Sequence, residues 1–215
     1  MSLPPKLGLD TLIDGARRPG WLVDFLRNDP IVFSNVAVST ARLGDDTEDG
    51  SSAVRLADYI NSQFDPKLSW HDVAWIREQW GGPVILKGIQ SVADAEIAVS
   101  EGIDAIALSN HGGRRLDASP AIIDLVAPVA DAVGASIEIY CDGGVRRGSD
   151  VVKAVALGAD AAMIGRPHLY ALAAGGEAGV TQLLDFFQQG IEQTMALIGI
   201  STLAEASAEM VVDNR

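Results

Sequence analysis

Two short stretches concentrate the side chains that could do chemistry. SNHGGRRLD, residues 109–117, sets His111 three positions before Arg114, with Ser109, Asn110 and two glycines beside them. Imidazole is the side chain that exchanges protons near neutral pH, and guanidinium offers paired donors to a planar anion. The pair therefore suits a small molecule that presents both a hydroxyl proton and a carboxylate. CDGGVRRGSD, residues 141–150, combines Gly143 and Gly144, which let backbone approach a ligand, with Arg146 and Arg147 as phosphate donors. Ser149 is placed to cap the helix that follows. Gly165 and Arg166 repeat the glycine and arginine device further on.

These groups need a frame that brings them together, and the chain from Pro83 supplies one. Four short apolar runs, PVILKGI (83–89), AIALSN (105–110), IEIYCDGG (137–144) and AAMIGR (161–166), read as buried parallel strands. The intervening VADAEIAVSEG, PAIIDLVAPVADAVG and GSDVVKAVALG read as crossover helices, each closed by a left-handed glycine: Gly102, Gly134 and Gly158. In the middle one, Ile122, Val126, Val129 and Val133 form one apolar stripe, and Pro128 is expected to kink it. AVSEGIDAIALSN (98–110) and AVALGADAAMIGR (154–166) match at several offsets, so one helix, turn and strand unit recurs.

The polar residues fall at the strand ends: Lys87, then Ser109 to His111, then Asp142 to Gly144, then Gly165 and Arg166. In a barrel those ends share one mouth, whereas an open sheet spreads them along a crevice. The expected class is therefore α/β, a partial (β/α)8 barrel of about four βα units. A phosphate site between the last two loops makes these strands five to eight.

Upstream, residues 1–67 read as loop and helix, with a loop-like GDDTEDGSS (44–52) and a helical AVRLADYINSQF, while SWHDVAWIREQW is expected to pack beneath the strand at 84–89. Trp70, Trp75 and Trp80, spaced by five, read as packing residues. His71 and His168 read as surface histidines, and Cys141 as a small buried hydrophobe.

Bulk properties narrow the partners. At 215 residues and 48% hydrophobic composition the chain can bury one domain. A net charge of -13 disfavours nucleic acid and anionic membrane surfaces. No apolar stretch is long enough for a membrane span, and a cytoplasmic location is expected.

LKGI, SNHGGRxLD, CDGGVRRGSDVVKAVALGA and MIGRP, in this order, resemble the C-terminal half of the FMN-dependent α-hydroxy-acid dehydrogenases and oxidases, from about Leu68 to Ala204. LPPKLG looks like that family's long loop after strand four. The resemblance implies FMN as cofactor and a small 2-hydroxy acid as substrate. It implies Lys87 at the N1 and O2 edge of the flavin, Ser109 in contact with the flavin, His111 as base and Arg114 on the substrate carboxylate. Asp142, Gly143, Gly144, Arg146, Gly165 and Arg166 would hold the ribityl chain and phosphate, while Arg115 and Arg147 have weaker claims and Asp117 pins the loop. Residues that the family supplies from strands one to four, among them an aspartate that orients the base, have no counterpart here. Two alternatives stay open: a catalytically silent half barrel that forms homo-oligomers or pairs with a partner half, and another FMN or phosphate-binding barrel.

Overall fold

A computed structural model describes residues 13, 16–20, 23, 65 and 67–212. The chain divides into two compact units, Met1–Leu68 and Ser69–Arg215. In the first, helical backbone is recorded at Ile13, Ala16, Pro19, Gly20 and Val23. The loop expected at 44–52 and the helix expected at 53–64 lie outside the described residues.

The second unit runs α1 (His71–Trp80), β1 (Ile85–Ile89), α2 (Val92–Ser100), β2 (Ala105–Ser109), α3 (Ile123–Val133), β3 (Glu138–Asp142), α4 (Gly148–Ala156), β4 (Ala161–Met163) and α5 (Arg166–Ile198), then two short 3-10 turns. All three strand pairings are parallel and the order is sequential, β1-β2-β3-β4. A doubly wound sheet reverses its strand order at a switch point, whereas a barrel does not. These are four consecutive units of a (β/α)8 barrel.

Register decides which side chains face where. Ile106 and Leu108 pair with Ile139 and Cys141, and these side chains join Ala95, Ala98, Val126, Val129, Val133 and Ala154 of the helices in one core. With a period of two, Ala105, Ala107 and Ser109 must face the opposite side, in register with Glu138, Tyr140 and Asp142. That opposite side carries the site. The apolar stripe of α3 is real: Ile122, Val126, Val129 and Val133 are all 5% exposed or less. Burying such a side chain contributes about 1.5–3 kcal/mol.

The repeated unit has a physical basis. Gly102 and Gly158 both adopt positive φ, +70° and +104°. Ile103 N–H and Ala159 N–H then bond back to Ala98 and Ala154 carbonyls, each at 3.0 Å, closing the helices in the Schellman manner. Asp104 accepts the Val84 N–H and Asp160 accepts the Ile139 N–H, both at 2.8 Å. Each aspartate thus pins the start of its own strand to the neighbouring one.

Three expectations need correction. Gly134 is not left-handed, having φ of -60°; a Cβ there would sit 2.7 Å from the Ala130 carbonyl oxygen, so the glycine supplies room rather than a turn. Pro128 lies inside α3, an 11-residue helix that runs on to Val133. The first residue flanking α4 is Arg147, not Ser149, which falls within the helix; the capping carboxylate is Asp150. Finally, α1 buries only Val73 and half-buries Trp70, leaving Trp75 and Trp80 63% and 67% exposed.

Candidate functional site

A bulge aims the first site residue. Lys87 pairs with Ala107, but Ile89 pairs with Leu108, so Gly88, at φ +110°, is an extra residue in β1. The insertion keeps Lys87 on the open face with Ala107 and returns Ile89 to the helix-covered core. Lys87 Nζ there forms an ion pair with Asp142 Oδ2 from the end of β3. Ser109, between them at the end of β2, is 3% exposed and donates its hydroxyl to the same Asp142 oxygen at 2.7 Å.

Ser109 Oγ also accepts the His111 N–H at 3.1 Å. A continuous chain therefore runs from Lys87 through Asp142 and Ser109 to the backbone of His111. Burial pushes the Asp142 carboxyl pKa up, but the hydrogen bonds from Lys87 and Ser109 outweigh it, leaving the pKa below the ordinary carboxylate value. Asp142 thus remains anionic at neutral pH, a compact negative charge held by one cation and one hydroxyl.

His111 begins a loop in left-handed conformation, with φ of +58°, followed by Gly112 at +69° and Gly113 at +71°. The side chains of His111 and Arg114 are exposed on this loop. Asn110, which carries no role in the motif reading, accepts the Gly113 N–H at 3.1 Å and donates to the Pro120 carbonyl at 3.0 Å. Arg166, the first residue of α5 just past β4, donates to the Gly112 carbonyl at 3.2 Å.

Beside this loop lies a cleft of about 410 Å3, lined by Asn110, Gly112, Gly113, Gly143, Gly144 and Arg166 among others. Gly143 and Gly144 have φ of +129° and +79°, and a Cβ on Gly144 or Gly165 would meet nothing within 4 Å. Open space above successive strand ends, flanked by the exposed Arg146 and Arg166, fits a phosphate and a flat cofactor. Asp150, another residue without an expected role, accepts the backbone N–H groups of Arg146 and Arg147 at 2.9 and 3.0 Å. The two amides just before α4 are thereby engaged by the chain's own carboxylate. Lys153 also lines the cleft; its place six residues beyond Arg147 gives no signal in the motif.

The structure gathers Lys87, Ser109, Asp142 and His111 into one hydrogen-bonded cluster and places Arg166 against the His111 loop. Neither Arg114 nor Arg146 has a side-chain hydrogen bond among the described residues. A larger concavity of about 570 Å3 follows α5 beside Gly175 and Phe186, away from these groups. The cysteine behaves as expected: Cys141 is 1% exposed, and its thiol pKa is pushed up to about 11 by burial and then by the neighbouring Asp142. His71 is exposed and His168 half-buried.

A parallel set of βα units with a glycine cradle and a histidine and arginine loop at one mouth has the form of a flavin-dependent oxidoreductase half. The chain belongs to the FMN-dependent dehydrogenase family, whose profile matches residues 1–213, and FMN is the cofactor of that family. It is 50% identical over 98% of its length to a pre-mycofactocin synthase of Mycolicibacterium smegmatis, covering 52% of that protein. It is 41% identical over its whole length to a putative L-lactate dehydrogenase of Mycobacterium tuberculosis, covering 49% of it. Among solved structures, that of the monotopic membrane protein (S)-mandelate dehydrogenase aligns with 97% of this chain and 53% of its own, at a TM-score of 0.85 and 34% identity. The chain spans about half the length of the curated relatives it matches. No helix among the described residues is long and apolar enough to cross a membrane.

Proposed function

We propose that this chain supplies the base and the FMN cradle of a site that oxidises a small L-2-hydroxy acid, lactate-like in size, to the 2-oxo acid. The observation that carries the reading is the meeting of Lys87, Ser109, Asp142 and the His111 loop at the C-terminal ends of three adjacent strands. Oxidation of the alcohol releases two electrons and two protons from the hydroxyl and C2. Bound FMN would supply the two-electron acceptor. His111 takes the hydroxyl proton, and Arg114, three residues on, holds the carboxylate through paired donors. Lys87 puts a positive charge on the open face where the ring edge would lie, and Asp142 keeps that ammonium in place. Gly143, Gly144 and Gly165 leave room for ribityl and phosphate, with Arg146 and Arg166 as counter-charges. L-lactate dehydrogenases among the relatives support the hydroxy-acid reading, while the pre-mycofactocin synthase relative keeps the substrate side chain open.

The test is oxidation of L-lactate and glycolate by the FMN-loaded chain with an artificial acceptor. The reading expects acid-dependent reduction, lowered about 100-fold or more by His111→Asn. No reduction by the wild-type chain, or an unchanged rate in the variant, overturns it.

A second reading rests on the two strand edges. β1 and β4 each pair on one side only among the described residues, and unpaired edges favour association. In that reading the chain is a silent half barrel that forms homo-oligomers or binds a partner half. Light scattering decides it: a monomer at all concentrations, with full activity, removes this alternative.

A further inference from the structure

We propose that Asn110 is the positioning residue that fixes the geometry between His111 and Arg114, by fastening both ends of the loop that carries them. Three successive residues, His111, Gly112 and Gly113, adopt left-handed backbone conformations, and the first has a side chain that disfavours it. Such a run persists only where its surroundings over-determine it. Ser109 fastens the first residue through the His111 N–H, and Arg166 touches the second through the Gly112 carbonyl. Among the described residues, Asn110 is the side chain that ties the near turn to the far end. Its Oδ1 accepts from Gly113 N–H, three residues on, and its Nδ2 donates to the Pro120 carbonyl, ten residues on. Past Pro120 the chain enters α3, whose buried stripe is fixed in the core, so this second bond anchors the loop to rigid structure.

A carboxamide is the side chain suited to the task, because one end must accept and the other must donate within a single short group. Aspartate keeps the bond to Gly113 but turns a carboxylate oxygen toward the Pro120 carbonyl. Alanine loses both. With the loop loosened, the imidazole and the guanidinium no longer hold a fixed separation, and catalysis of a step that needs both is sensitive to such drift.

The proposal rests on the hydroxy-acid reading for its catalytic consequence, and its test separates the two. Wild-type, Asn110→Ala and Asn110→Asp chains are compared in limited trypsin digestion, reading cleavage after Arg114 and Arg115. The same chains are then compared by FMN affinity and by kcat and KM for L-lactate. A net hydrogen bond corresponds to about fivefold in an equilibrium constant, so loop cleavage in the alanine variant is expected to rise about five- to tenfold. Cleavage in the aspartate variant should rise less. In the alanine variant kcat/KM should fall about tenfold or more, by more than FMN affinity falls, with an unmoved pH midpoint. The aspartate variant should recover part of that loss. Wild-type cleavage and wild-type kcat/KM in Asn110→Ala overturn the proposal, and so does a loss shared equally by FMN affinity and thermal midpoint, which marks general destabilisation. If the wild-type chain oxidises no 2-hydroxy acid, the functional reading falls, while the cleavage ratio still decides whether Asn110 holds the loop.

Discussion

His111 holds a left-handed backbone, φ +58°, on an exposed loop. Strain of this kind costs a β-carbon-bearing residue about 1–2 kcal/mol, and glycine escapes it. His111→Gly is therefore expected to raise stability by about 0.5–1 kcal/mol in urea melts while abolishing any base function; a net loss of stability would contradict the strain. Asp142 gives a pH signature. Its folded pKa is lowered, so it contributes stability above the unfolded carboxylate pKa of about 3.9. That contribution is lost as pH falls from about 4 through the folded value. Asp142→Asn should then be less stable at neutral pH and show a flatter acid limb than wild type, measured by urea midpoints between pH 3 and 7. Cys141 should resist alkylation in the folded chain at pH 8, at least about 100-fold more than after unfolding, because its thiol is buried and held protonated. At this scale the sequence is legible where a residue type has few uses, as for Lys87 in an apolar strand or Cys141 in another. The Ser109 link is not legible there, because a bond between residues 33 positions apart depends on strand register. Asn110 does carry a usable signal: an Asx residue before two glycines is a turn-former with a specific acceptor role.

Among the elements, α4 and α5 approach most closely at glycine. A Cβ on Gly148 would sit 2.2 Å from Ile191 N and 2.3 Å from Gly190 C, both backbone atoms that cannot give way cheaply. Gly148→Ala should cost about 2 kcal/mol or more, whereas Gly175→Ala, with open space and negative φ, should change stability by less than about 0.5 kcal/mol. Thermal melts of the two variants check the contrast. The repeated helix, turn and strand unit is legible in the order of residues alone, since Gly102 and Gly158 mark left-handed caps and Asp104 and Asp160 recur at one offset. Gly134 misleads because a glycine needed for room looks the same in sequence as one needed for φ. The tryptophans mislead for a related reason: regular spacing says nothing about whether a covering surface is present, and α1 leaves Trp75 and Trp80 exposed.

At the largest scale, the four-stranded sheet covers one face with helices and leaves Ile85, 52% exposed, and Met163, 38% exposed, on strands whose outer edges are unpaired among the described residues. The chain matches about half of its relatives' length, and four strands are half of what a closed barrel of this type requires. The half it contains is the one proposed to hold the cradle and the loop, so cofactor affinity is the property it should display. The direct measurement is titration of the chain with FMN, read by flavin absorbance and by quenching of flavin fluorescence, beside Arg166→Gln and Gly165→Val. Saturable binding of one FMN per chain is expected, weakened about tenfold or more in both variants, one losing a phosphate donor and the other filling open space. A chain that gains no flavin band, or one that binds FMN equally well in all three forms, would contradict the placement of the cofactor at these strand ends.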